Sequence, residues 1–126
     1  STSQDTAPTL VSQAQIFQAR QEVLALHMAE PVERYLVEIV MASRNPPANL
    51  APLIELGASP RGTSGLDLCA RARAWLAERD FVTPEDVQAI AHDVLRHRII
   101  CSFEADAQGL GSDHIIDQLL AQVPVP

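Results

Sequence analysis

Apolar residues recur along this chain as short helical stripes separated by breaks rich in proline and glycine. Val32, Tyr35, Leu36, Ile39 and Val40 repeat at i, i+3, i+4, i+7 and i+8, which marks one buried face of a helix opening at Pro31. That helix ends near Ser43 or Arg44, because Asn45-Pro46-Pro47 cannot continue it. Upstream, Ser12 and Gln15 have capping-box spacing, and Ile16, Ala19 and Val23 continue one face of a first helix. Leu24, Leu26 and Met28 then alternate with Ala25 and His27, an extended pattern. Downstream, Thr83-Pro84-Glu85-Asp86 is a strong helix start, with Thr83 as cap, Pro84 in the first position and two acids behind it. Val87, Ile90, Ala91 and Val94 are its buried face. A last helix from Ser112 carries Ile115, Ile116, Leu119 and Leu120 and stops before Pro124, after a turn at Gly109-Leu110-Gly111.

Between these lies a helix predicted from about Pro60 to Arg79, with Leu68, Ala72, Trp75, Leu76 and Arg79 on one side and Leu66 and Cys69 flanking them. Gly62, Thr63 and Gly65 weaken its first turns, each glycine costing about 1 kcal/mol relative to alanine. This predicts an end that is mobile or needs a partner. Residues 45–58 make a loop longer than the usual connection, a place where function concentrates. Ile99, Cys101 and Phe103 alternate, and a two-stranded ribbon pairing 97–103 with 24–28 is compatible with both patterns. The expected fold is mainly all-α, a small bundle of about five helices, with residues 1–11 as a polar linker and 12–126 as one helical domain.

Composition sharpens this in three respects. The chain has 126 residues, enough for one ordinary domain, and is 47% apolar but only 4% aromatic, so aliphatic side chains and alanine must build the core. A net charge of −7 argues against a nucleic-acid footprint. No apolar run approaches the roughly 20 residues that span a bilayer, so no membrane role is expected. Cys69 and Cys101 form no C-x-x-C pair and are read as reduced thiols of a cytoplasmic protein.

The chemistry most worth attention lies at the start of the third helix. In Leu56-Gly57-Ala58-Ser59-Pro60-Arg61-Gly62, Ser59 is a capping residue, Pro60 suits the first helical position, and Arg61 falls at the second. A cation opposes the macrodipole there. An anion such as phosphate, seated between the helix N–H groups and the guanidinium, would make sense of it. Solvation, or pairing with an acidic neighbour, is the plainer alternative. Arg96-His97-Arg98 is a second unusual cluster. It either complements the dipole at a helix C-terminus or docks onto an acidic or nucleotide-bearing neighbour.

Free-standing catalysis finds no support. There is no G-x-x-x-x-G-K-[ST], G-x-S-x-G, H-E-x-x-H or EF-hand loop, and Gly109 and Gly111 do not complete G-x-G-x-x-G. His92 and His97 are the only neighbouring histidines, and their i, i+5 spacing shares a helix face poorly, so no metal is expected. Glu85 and Asp86 read as helix-start carboxylates, Arg71 and Arg73 as a solvated face, and Trp75 as core.

Taken together, Tyr35-Leu36-Val37-Glu38-Ile39-Val40 before Arg44, then Gly57-Ala58-Ser59-Pro60-Arg61, resemble the C-terminal lid of MoxR-type AAA+ ATPases. Trp75 with Arg79 to Val87, Val94-Leu95-Arg96-His97-Arg98-Ile99 and the closing Val123-Pro124-Val125-Pro126 continue the pattern from about residue 30 onward. The resemblance implies a nucleotide-binding α/β core outside this chain that binds ATP and Mg. It makes Arg61 the second sensor, reaching the γ-phosphate, with Ser59 and Pro60 beside it. It further implies homo-hexameric rings that remodel partner proteins, von Willebrand A domain clients among them. The alternative from another class is a free-standing helical adaptor that binds a protein through the 45–58 loop and the Arg96–Arg98 cluster.

Overall fold

The computed structural model describes residues 11–126, and the expected N-terminal linker lies, apart from Val11, outside them. Among the described residues the chain runs through helices α1 (Gln13–Ala25), α2 (Glu30–Arg44), α3 (Pro60–Leu76), α4 (Pro84–Leu95), α5 (Phe103–Ala107) and α6 (Ser112–Gln122). A 3-10 turn at Ala51–Leu53 leads into strand β1 (Ile54–Leu56), which pairs antiparallel with β2 (Ile100–Cys101). The helix starts lie where the polar residues put them. Ser12 and Gln15 close a capping box, as do Thr83 and Asp86, while Ser59 caps α3 ahead of Pro60.

The core is centred on α2, which touches α3, α4 and α6. Tyr35, Leu36, Ile39, Leu66, Leu95, Ile115, Ile116 and Leu119 are fully buried. Each such aliphatic side chain contributes about 1.5–3 kcal/mol by leaving water. The Tyr35 hydroxyl is not stranded in this setting, because Gln88 Nε2 donates to it at 3.2 Å.

Five expectations need correction. The ribbon is formed by β1 and β2; residues 24–28 take no part in it, and His27 bridges Phe81 in parallel instead. The predicted face of α3 is also displaced. Its buried residues are Gly62, Leu66, Ala70 and Ala74, an i+4 row, whereas Leu68 is exposed and Leu76 is 75% exposed. The reason is close helix packing. A Cβ on Gly65 would lie 2.9 Å from Val94 Cγ1, and one on Gly62 would lie 3.4 Å from Leu95 Cδ2. Small residues let α4 approach there, so the two glycines that weaken α3 as an isolated helix are what fit it to its neighbour.

Third, α3 ends at Leu76 and not at Arg79. Glu78 adopts φ 60°, the Glu78 N–H donates to the Trp75 carbonyl and the Arg79 N–H to the Ala74 carbonyl, a Schellman stop. Fourth, Phe103 does not continue a strand face. Ser102 caps α5 through the Ala105 N–H, and Phe103, in the first position of that helix, is 86% exposed.

Fifth, Arg71 and Arg73 of α3 are structural. Asp86 is fully buried and receives Arg73 Nη1 at 2.7 Å and both Arg79 nitrogens at 2.6 and 2.8 Å. Burial alone would raise its carboxyl, but hydrogen bonds from Arg79, the Thr83 backbone, Arg73 and the Thr83 hydroxyl outweigh this and hold it far below the carboxylate range. Arg71 bonds Asp67 at 2.6 Å and the Leu26 carbonyl. Neither Arg71 nor Arg73 therefore belongs to a merely solvated face.

Candidate functional site

The segment that carries Arg61 is fastened to the end of α2 before α3 begins. Ser43 continues the buried stripe of α2 at the position after Leu36, Ile39 and Val40, and is itself buried. Its hydroxyl donates to the Val40 carbonyl at 2.6 Å and accepts the Ala58 N–H at 3.0 Å. Arg44 Nη1 donates to the Ala58 carbonyl at 3.1 Å. Gly57 passes so close to this turn that a Cβ there would sit 2.2 Å from the Ser43 carbonyl oxygen. Ala58 is fully buried beyond it. Ser43 and Arg44 thus position this segment, a role that sequence reasoning assigned to neither. The available signal was a serine standing where the apolar stripe of α2 calls for an aliphatic residue.

From this anchor Ser59 turns into α3. Its hydroxyl accepts the Arg61 N–H at 3.3 Å, and its carbonyl accepts the Gly62 N–H at 2.8 Å. Pro60 has no N–H to offer. The N–H groups that the spacing seemed to leave for an anion are therefore engaged inside the turn. What remains to meet an anion is the positive end of the helix dipole and the Arg61 side chain. Arg61 is exposed, and among the described residues its guanidinium forms no ion pair.

The Arg96-His97-Arg98 cluster is divided between two neighbours. Arg96 Nε bonds Asp113 of α6 at 2.9 Å and Nη1 bonds Asp93 at 3.2 Å; these hydrogen bonds, Asp113 first, raise its pKa. Arg98 is exposed and lies over α3, its Nη2 3.9 Å from where a Gly65 Cβ would be. Gly65 is four residues after Arg61, so the structure carries Arg98 to the face of α3 that Arg61 also occupies. His97 is exposed. Among the described residues, no group of three or more His, Cys, Asp or Glu side chains is arranged to hold a metal, and no helix is long and apolar enough to cross a membrane.

Comparison with known proteins agrees with this geometry. Residues 48–119 match the AAA lid domain family model. The chain is 38% identical over 110 residues to protein MoxR of Paracoccus denitrificans, covering 79% of this chain and 32% of that protein. It is 34% identical over 96 residues to chaperone MoxR1 of Mycobacterium tuberculosis, covering 73% of this chain and 26% of that protein. A crystal structure of a candidate ATPase from Cytophaga hutchinsonii superposes with a TM-score of 0.87 at 36% identity, over 92% of this chain and 36% of that one. A capped, anchored α3 inside a helical bundle, matched along more than half its length, places the chain in the AAA lid domain family. Within that family it is of the MoxR type. It spans between a quarter and about a third of the length of the relatives it matches.

Proposed function

We propose that this chain works as the lid of a MoxR-like AAA+ ATPase, and that Arg61 is the second sensor, extended to the γ-phosphate of ATP. What supports the reading is the exposed Arg61 guanidinium, without an ion pair among the described residues, on a helix start that Ser43 and Arg44 lock in place. ATP and Mg would be held mainly by a core domain outside this chain, ATP supplying the phosphoryl group that passes to water and Mg offsetting its charge. The lid offers that site one cation at a positive helix end, with Ser59 and Pro60 setting its direction. A charge held there offsets the negative charge on the transferring group and makes its loss felt by the lid.

In the full protein the lid sits in a cytoplasmic homo-hexamer that remodels partner proteins, those with von Willebrand A domains included. The test is Arg61→Ala in the full-length enzyme. ATP turnover falls by about tenfold or more, as loss of a phosphate-directed arginine does. The thermal unfolding midpoint stays the same, because the side chain is exposed and forms no ion pair among the described residues. Near-normal turnover in that variant removes Arg61 from the mechanism.

A further inference from the structure

Between α1 and the C-terminal end of α3, at the opposite end of that helix from Arg61, lies a groove lined by apolar and acidic residues. Its first section, about 850 Å³, is floored by Leu26, Trp75 and the strongly exposed Leu76. A second section of about 400 Å³ continues along α1 past Val11, Ile16 and Ala19, sharing Trp75 and Glu22 with the first. Trp75 Nε1 donates to Glu22 Oε1 at 3.1 Å, which holds the two walls together. Of the apolar residues of α1 only Val23 is buried, and Ile16, on the side of the helix that lines the groove, is 57% exposed; Phe17 and Leu24 are exposed elsewhere on the helix and do not line the groove.

The charges around the groove say what fits it. Glu22, Glu78 and Asp80 stand on its rim. The one cation in its wall, Arg79, bonds Asp86 and the Phe81 carbonyl; Arg73 shares that carboxylate, so one positive charge remains against the three acidic residues and the groove stays net acidic. An apolar floor with three carboxylates above it is complementary to apolar side chains flanked by cations. Residues 1–10 of this chain contain one aspartate and no lysine or arginine, so their charge does not suit the rim. A second copy, at net charge −7, is repelled. We propose that this groove docks a short segment of a partner protein in which apolar side chains are flanked by lysine or arginine. The proposal goes beyond nucleotide sensing and stands whether or not Arg61 contacts ATP.

Trp75 is the sole tryptophan of the chain, so its emission reads the groove directly. The probe is a capped Lys-Leu-Leu-Lys-Leu-Leu-Lys peptide, titrated against the 126-residue chain beside the same peptide with glutamate for lysine. The expected result is a saturable shift of Trp75 emission, with the lysine peptide bound at least about tenfold more tightly. Leu76→Ser and Glu78→Lys each weaken it by about tenfold, while Glu55→Lys, on β1 outside the groove, changes it by less than about twofold. Circular dichroism confirms that each variant is folded. Absence of a saturable shift, equal binding of the two peptides, or an equal loss from Glu55→Lys overturns the proposal. So does binding by this chain but not by the full-length protein, which would mean that the protein's own core fills the groove.

Discussion

Gly57 leaves no room for a methyl group, and that single fact sets how α3 is aimed. Its neighbour across the gap is the Ser43 carbonyl, which is backbone and cannot rotate away. Gly57→Ala must therefore push the 57–61 segment off the end of α2 and strain the bonds from Ser43 and Arg44 to Ala58. We expect a loss of about 3 kcal/mol in urea denaturation, the upper range for overpacking. A loss below about 0.5 kcal/mol, an ordinary surface effect, would show that the segment shifts freely. The place of Arg61 in the first turn of α3 was legible at this scale because its cap and proline are local to it. Ser43 was not, since its partner Ala58 is fifteen residues away and only the fold brings them together.

Among the elements, α4 is fastened more firmly than any spacing argument indicated. Glu85 and Asp86 were read as helix-start carboxylates, which Asp86 is, through Thr83. It is also the buried anion shared by Arg73 and Arg79. Asp86→Ala removes a cap and leaves both guanidinium groups without their partner, at an expected cost of about 3 kcal/mol. Because the folded carboxyl is held far below its ordinary value, its stabilisation is fully present above the unfolded pKa of about 3.9. It is lost as the pH falls from there toward the folded value. Urea midpoints for wild type and Asp86→Asn should differ at pH 7 and draw together as the pH falls below about 3.9. A gap that stays constant across that range would detach the acid limb from Asp86.

Glu78 makes the opposite prediction. It occupies the left-handed stop of α3, where glycine is unstrained, so Glu78→Gly should raise stability by about 1 kcal/mol while weakening peptide capture in the groove. An unchanged melting temperature would argue that the left-handed turn stores no strain. Helix starts were readable because capping is a short-range affair. The face of α3 was not, because its packing row of glycine and alanine carries little hydrophobic signal, and neither was the β1–β2 pairing, which joins residues 46 or so apart.

For the molecule as a whole, the bundle was legible because α1 and α4 announce themselves by their caps and α2, α4 and α6 by their apolar stripes, and its family because the motifs fall in order along the chain. The absence of a P-loop gives a further test. This chain alone should turn over no ATP, and the same preparation joined to a nucleotide-binding core should do so in a manner that depends on Arg61. Phosphate release by the isolated chain above a heat-killed control would contradict the reading.

The bridge between His27 and Phe81 has a mechanical consequence. His27 donates its N–H to the Asp80 carbonyl and accepts from the Val82 N–H, both strands running the same way, while Arg71 grips the Leu26 carbonyl alongside. A pull arriving along α1 loads these bonds side by side, in shear, and not one after another like a zipper. The C-terminal end of α1 is thereby tied to the corner between α3 and α4, at the opposite end of α3 from Arg61.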